Sequence, residues 1–541
     1  MSSIVQRLKE NWKSGLTVSL ISIPLSVSLA VASQSTPVVG IITAIWAGLI
    51  ASIFGGSKFN IVGPTGALSG ILASYALTHG ANTLASLAVV TGVYILIAYA
   101  FRLERYLVFI SASTIHGFTL GVAFVIGFGQ MNYALGLSGL PAHERFWNNL
   151  VESFSHLSST SLPALVLFLF STFFLFAFAK LLPKLPSAIF LAPIGIVIGM
   201  LSQSGSLPFQ LITLGQKFEI NPAIFLNPHL SFHPTLLSAG FTVAVIAILE
   251  TMLSAKIADG MTKTKHNGRK EMMGLGLANI VSGLVGGIPA TAALARTSLN
   301  VKTGGTNQMS ATISSIAIAV IAMLLLGYFR YIPMAVIAAI LVYVAIRMIE
   351  REHFERMWKF DRRSFALSMV VAALTVYIDP IIGILVGTSV NLLIFTEKLS
   401  RGQFELFLNK TGTGLHSKII SDTLPHTMEK TDTLVYAMKG QLAFINAQSH
   451  IARFEQKLNG YENVVIRLRE LCFMDLDGVD AFNEIVELIR AQGKRVLVSG
   501  VNPLIQEMLQ ESPVFKGLQK EGAVFERTTD ALRELGFQAV A

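Results

Sequence analysis

The chain is poor in charge and almost without cysteine. Asp, Glu, Lys and Arg make up 13% of its 541 residues, about half the share of an ordinary soluble protein. The lone Cys472 excludes an intrachain disulfide framework. No G-x-G-x-x-G or Walker spacing is present, so no nucleotide loop is expected. The loop histidines His143, His156, His229 and His233 lack metal-ligand spacing and read as solvated. No metal, cofactor or enzymatic chemistry is therefore expected. What is abundant is apolar surface: 52% of the residues are hydrophobic and the mean hydropathy is +0.61. In that setting the net charge of +9 is assigned to Lys/Arg flanks of membrane segments, not to nucleic-acid binding.

Long apolar runs fill 14–396, while 397–541 has the composition of a soluble protein. The expected organisation is a membrane domain over 1–396, a polar connector leading into the tail over 397–432, and a small domain over 433–541. Candidate spans are 14–31, 37–54, a short 64–78, 84–101, 107–130, 162–181 and 186–203. A second set is 235–255, 272–286, a short 289–301, 309–329, 332–349, 364–378 and 380–396. The first apolar run is span-length with no small-residue cleavage site after it, so a cleavable signal peptide is not expected.

Seven plus seven spans give an all-α polytopic domain. An odd number per half forces the second half to be inverted. Charge asymmetry agrees with a cytoplasmic N-terminus. The groups Arg7/Lys9/Lys13, Arg102/Arg105, Lys180/Lys184, Lys256–Lys270 and Arg347–Arg363 then share the inner side. Arg145, Lys217 and Arg330 are isolated cations in outer loops.

Two segments break the pattern. Gly286-Gly287-Ile288-Pro289-Ala290-Thr291-Ala292-Ala293-Leu294-Ala295-Arg296 has paired glycines and a proline ahead of a stretch too short to span. A helix is expected to start at Pro289, with Arg296 about two turns along it. Gly63-Pro64-Thr65-Gly66-Ala67-Leu68-Ser69 repeats the feature. Pro64 and Pro289 are 225 apart (289 − 64), as are Gly15 and Gly240 (240 − 15). Paired Gly/Pro-broken segments in matching positions point to a transporter binding site. Helix starts inside a membrane leave N–H groups that favour an anion.

Glu250 lies within an apolar span, where an ionisable group is costly. It reads as a proton carrier or as a structural partner of Arg296. Pro24 sits mid-span and is expected to unwind or kink its helix toward the cavity. Thr65, Ser69, Thr291, Thr297 and Ser298 are candidate neutral donors or helix-packing residues. In the tail, strands are expected at 434–438, 464–468 and 495–499. Helices are expected at 443–458, 479–491, 503–511 and 529–535, an α/β arrangement with helices against a mixed sheet.

Several stretches resemble the SulP family of sulfate-permease-type anion transporters. They are Gly15-Leu16-Thr17 with Ile23-Pro24, Gly55-Gly56 with Val62-Gly63-Pro64-Thr65, and Ala258-Asp259-Gly260-Met261. The most specific runs from Ala278-Asn279-Ile280 through Gly286–Thr291 to Ala295-Arg296-Thr297 and Asn300. The tail is similar to the STAS domain of that family. The resemblance implies fourteen spans in core and gate subdomains, a homodimer, and elevator-like movement of the core against the gate. The anion would sit between Pro64–Ser69 and Pro289–Arg296. Pro64, Thr65, Gly66, Ser69, Thr291, Ala292, Ala295, Arg296 and Pro24 are thus candidate substrate-binding residues.

Family members carry sulfate, bicarbonate, chloride or dicarboxylates, by proton or sodium symport or by exchange. Glu250 falls where the family keeps an acidic residue linked to cation coupling, and a glutamate resembles the proton-coupled members. The implied partners are a small inorganic or carboxylic anion, membrane lipid, a second copy and a cytoplasmic protein at the STAS domain. The implied location is the inner cell membrane with both termini cytoplasmic. Two positions depart from the family pattern. Leu25 stands where many members have glutamine, and Phe473–Gly478 lacks the serine of the usual STAS turn. A non-transporting regulatory membrane protein and a nucleobase permease are the competing readings.

Overall fold

A computed structural model describes residues 2–141, 143, 146–182, 187–220, 223, 225–228, 230–378, 380–408, 418–419, 433–455, 458 and 461–537. Arg145, Lys184, His229 and most of the 397–432 connector lie outside the described residues. The chain divides into two units, Met1–Asn391 and Leu392–Ala541.

The first unit is helical because an apolar run can satisfy its backbone in lipid only by bonding within itself. Its principal helices are α1 (Ser2–Ala32), α2 (Pro37–Phe54), α3 (Gly66–His79), α4 (Leu84–Ala100), α5 (Ala112–Phe128), α6 (Leu162–Leu181) and α7 (Ser187–Gln203). There follow α8 (Thr235–Thr262), α9 (Gly268–Leu284), α10 (Leu294–Lys302), α11 (Met309–Leu325), α12 (Met334–Met348), α13 (Arg362–Tyr377) and α14 (Pro380–Ser400). A helix falls on every stretch expected to be one. The termini of α4 and α11 keep the 225-residue offset at both ends (309 − 84 and 325 − 100). Among the described residues, eight helices are long and apolar enough to cross a membrane.

Two expectations about proline are corrected. The helix α1 runs unbroken through Pro24, so of the unwinding or kink expected there it is the unwinding that does not occur; the missing N–H frees only the carbonyl of Leu20, and the flanking turns hold the helix together. The broken segments also start their helices later than the prolines suggest. α3 begins at Gly66 and α10 at Leu294, five residues beyond Pro289. Arg296 is therefore the third residue of its helix and lies in the first turn, not two turns along. Nine residues make α10 about 14 Å long, less than half of a ~30 Å hydrocarbon core.

Helix α1 packs against α2, α11 and both short helices, while α9 packs against α2 and α4. Close approach of α4 to α9 depends on Gly92, where a Cβ would stand 2.6 Å from the carbonyl oxygen of Gly276. A second group is formed by α5, α6, α12 and α13, with α12 touching α5 and α6, and α13 touching α5.

The second unit is a six-stranded mixed sheet in the order β4-β3-β5-β6-β7-β8. The strands are β3 (Gln403–Leu408), β4 (Lys418–Ile419), β5 (Thr433–Leu442), β6 (Asn463–Met474), β7 (Arg495–Ser499) and β8 (Val524–Phe525). β5 through β8 are parallel; β3 is antiparallel to β5 and to β4. The helices are α15 (Ala447–Phe454), α16 (Leu476–Ala491), α17 (Pro503–Leu509), α18 (Pro513–Lys520) and α19 (Thr528–Glu534). Val479, Phe482, Ile485, Val486 and Ile489 give α16 one buried face at helical spacing. The single helix expected over 503–511 stops at Leu509. Ser512 caps a new helix by accepting from the Phe515 N–H, with Pro513 in its first turn.

Candidate functional site

The two broken segments meet. Val62–Gly63 (β1) and Thr291–Ala292 (β2) form a two-stranded antiparallel ribbon, with Val62 opposite Ala292 and Gly63 opposite Thr291. The Ala293 N–H extends it by donating to the Ile61 carbonyl at 3.1 Å. Pairing uses the residues after Pro289 as strand, which is why α10 starts late. Thr65 and Ala293 are the N-cap residues of α3 and α10, and neither side chain caps its helix. Two helix starts with uncapped N–H groups therefore leave one ribbon, each with partial positive charge.

Arg296 adds a full charge. Its side chain is buried at 2% exposure. Nη2 donates to the Pro64 carbonyl, while Nε and Nη1 have no hydrogen-bond partner. A buried guanidinium with open donors is costly unless a further acceptor arrives. Gly63 makes room for it: a Cβ there would lie 2.7 Å from Nη1.

Glu250, half-buried on α8, faces the same ribbon. Its Oε2 accepts from the Thr65 hydroxyl at 2.9 Å. It feels the charge of Arg296, but the two form no ion pair within 4.0 Å. The neighbouring Thr251 ties α8 to β2. Its hydroxyl oxygen lies 2.8 Å from that of Thr291 and accepts from the Ala292 N–H at 3.1 Å. Thr291 in turn donates to the Ala247 carbonyl at 3.0 Å. Its hydroxyl thus fastens the ribbon to α8.

The other candidates take distinct places. Gly66 is buried at the first position of α3. Ser69, one turn on, donates to the Gly66 carbonyl at 2.8 Å. Thr297 accepts from the Ile61 N–H at 3.2 Å, so its hydroxyl also serves the ribbon. Ala295 is exposed beside Arg296, and Ser298 is half-buried. Pro24 is buried on α1, the helix that packs on both short helices. A cavity of about 370 Å³ runs from Ser69, Gly70 and Ala73 past Gln34 and Gln130 to His143 and Lys217. It ends at Ser69, and neither Arg296 nor Glu250 lines it.

A supporting layer was not among the sequence candidates. Asn279 brackets Ala290, donating to its carbonyl at 2.9 Å and accepting from its N–H at 2.8 Å. Ser282 donates to the Ile288 carbonyl, and Thr43 accepts from the Ile288 N–H. On the other segment, Glu271 accepts from the N–H groups of Gly56 and Ser57 at 2.7 Å and from Asn60 Nδ2 at 2.6 Å. Asn300 donates to the Phe59 carbonyl at 2.9 Å and accepts from Ser14 at 2.7 Å. Irregular backbone at membrane depth persists only with such partners. Asn279 and Asn300 stood inside the most specific motif; Glu271 fell one residue outside its expected span.

Long apolar helices around two short ones whose leading segments pair in one ribbon define an integral multi-pass membrane protein of the transporter class. Residues 8–371 match the Sulfate permease family, and residues 425–531 match the STAS domain. The chain belongs to the sulfate permease family. It is 28% identical over 525 residues to YvdB of Bacillus subtilis (strain 168), covering 96% of each chain; that protein's name assigns sulfate transport provisionally. It is 23% identical to the bicarbonate transporter BicA of Picosynechococcus sp., covering 95% of this chain and 92% of BicA. Its fold is that of the murine Solute Carrier 26 family member A9 anion transporter. The TM-score is 0.82 at 16% identity, covering 97% of this chain and 91% of that one. These relatives are transporters, not enzymes.

Proposed function

We propose that the protein is a secondary transporter that carries a small anion across the membrane, bound between the starts of α3 and α10. The observation that carries this reading is the buried Arg296, whose Nε and Nη1 lack partners beside two uncapped helix starts. An oxyanion would accept from both nitrogens and from the first-turn N–H groups. Pro64, Thr65, Gly66, Ala292 and Ala295 would shape the pocket, with Ser69 and Pro24 at its edge. Sulfate is the first candidate, because relatives bear that name; bicarbonate and a C4-dicarboxylate share its negative sign and its oxygen acceptors.

The finer organisation follows as part of the same reading. Fourteen segments form two inverted repeats of seven, supported by the 225-residue offset and the antiparallel ribbon. The ribbon-bearing helices would move as a core against the α5–α7 and α12–α14 group, in a homodimer with both termini in the cytoplasm. Glu250 would load a proton with the anion, because its hydrogen bond runs to Thr65, the N-cap residue of α3.

Proteoliposomes containing the full chain test this with sulfate, bicarbonate, fumarate and uracil at two pH values. Saturable oxyanion uptake that rises in acid, and falls in Arg296→Ala, is expected. Uptake of uracil alone would replace the anion reading with that of a nucleobase carrier. Uptake of none by a folded protein would favour a regulatory membrane protein.

A further inference from the structure

We infer a second binding site, for a divalent first-row transition ion, where α5 meets the short helix Arg351–Phe360 that follows α12. Its ligands are His116, Glu350 and His353. Their ligand atoms lie within 4.8 Å of one another, the one such group of three among the described residues.

The geometry favours a metal over a hydrogen-bond cluster. Glu350 Oε2 lies 3.6 Å from His116 Nδ1 and 3.2 Å from His353 Nδ1, so one oxygen faces both imidazoles. Ligand atoms around a tetrahedral zinc, at 2.0–2.1 Å from the metal, stand about 3.3 Å apart. The two separations bracket that value. A hydrogen bond explains the shorter one only, because 3.6 Å is beyond hydrogen-bond range. The imidazoles approach with centroids 4.3 Å apart and planes tilted by 38°. Two protonated rings that close would repel, whereas two neutral rings can share one cation.

The backbone supports the same assignment. Glu350 is the N-cap residue of its helix, yet its carboxylate makes no capping bond. It is turned to the histidines instead of to the helix N–H groups. His116 is buried, Glu350 is half-buried and His353 is exposed, so an ion could enter from the His353 side. Two imidazoles and one carboxylate are a common donor set for zinc and leave a fourth position for water. Neither His116 nor His353 belongs to the ribbon site. A bound ion would pin the start of α5 to the segment after α12.

A contrast sharpens the inference. His143, Glu152 and His156 offer the same set of two histidines and one glutamate, with contacts of 3.6 and 3.5 Å. There the histidines reach opposite oxygens of Glu152, and the three do not gather around one point.

The test is zinc competition against a chromophoric chelator, using the purified full chain in detergent. One zinc per chain is expected. His353→Ala and His116→Gln are each expected to weaken binding at least roughly tenfold, since even the loss of an outer-shell partner costs a zinc site that much. His143→Ala is expected to leave binding unchanged. Because His353 is exposed, its alanine variant keeps the test open even where His116→Gln fails to fold. Absence of stoichiometric zinc, or zinc whose affinity His353→Ala leaves intact, would overturn the site.

Discussion

Arg296 on α10 donates to the backbone carbonyl of Pro64, 232 residues earlier, on the segment that leads into α3. One half of the membrane unit thus holds the other through a side chain that keeps two donors free. The anchor fixes the guanidinium, and the free nitrogens are what an anion would use. Arg296→Ala is expected to lower uptake at subsaturating substrate by about 10- to 100-fold, as for loss of charge-assisted bonds worth about 1.5–3 kcal/mol. Arg296→Lys should recover little, because an ammonium cannot hold the Pro64 carbonyl and present a planar fork together. Lysine uptake equal to that of arginine would show that charge alone suffices.

Glu250 and Thr65 form the second link between halves, from α8 to the start of α3. Glu250→Gln keeps the shape and the acceptor but cannot exchange a proton. Uptake by the variant is expected to lose its acid stimulation while substrate still binds. A pH profile parallel to that of the wild type would remove Glu250 from coupling.

Gly63 lies against the guanidinium, and a methyl group there would stand 2.7 Å from Nη1. Gly63→Ala is expected to displace Arg296 and reduce uptake about as much as Arg296→Ala does. Its unfolding temperature should fall by only a few degrees, since an alanine can take the extended backbone of the ribbon. Unimpaired uptake would mean that the side chain tolerates the shift.

Much of this architecture was legible because its signals are local. Apolar runs of span length and the 225-residue offset are written along the chain, and they located each helix of the membrane unit, though the first begins at Ser2, twelve residues before its expected start. The helix starts were not legible. Proline marks a first helical turn when nothing competes, but after Pro289 the backbone was claimed by a strand partner 230 residues away (292 − 62). Glu271 escaped notice for the same reason: its partners are amides at 56 and 57, visible only in three dimensions. His116, Glu350 and His353 have no common spacing at all. The strand β3 fell inside the stretch expected to be a polar connector, and its pairing with β5 is visible only in three dimensions.

Glu271 is buried and accepts three hydrogen bonds that hold the turn between α2 and β1. Glu271→Ala strands two backbone N–H groups and an amide. At about 1–3 kcal/mol for each buried group left unpaired, the loss is expected to exceed that of an ordinary core substitution. Thermal unfolding in detergent should show it as a large fall in melting temperature. Glu271→Gln keeps an acceptor for part of the turn and should fall between the two.

The last prediction concerns the tail, where titration can be read without a membrane. His450 is buried, and its Nδ1 lies 2.7 Å from the Tyr436 hydroxyl. Burial, with the Arg453 charge second, lowers its pKa to about 3. The ring is therefore neutral, its Nδ1 shares a hydrogen bond with the Tyr436 hydroxyl, and Nε2 faces the Gly402 backbone without a partner. In the unfolded chain the same ring titrates near 6.5. Between pH 6.5 and about 3 the unfolded state holds a proton that the folded state does not, so acid favours unfolding. The contribution is whole above pH 6.5 and shrinks as pH falls toward 3, by up to about 1.4 kcal/mol per pH unit. Calorimetry of the full chain between pH 7 and 5 should show the transition of the tail moving to lower temperature. His450→Gln retains an acceptor for Tyr436 and has no ring to protonate, so its transition should move less over the same interval. Equal movement in both proteins would place the acid sensitivity on other groups.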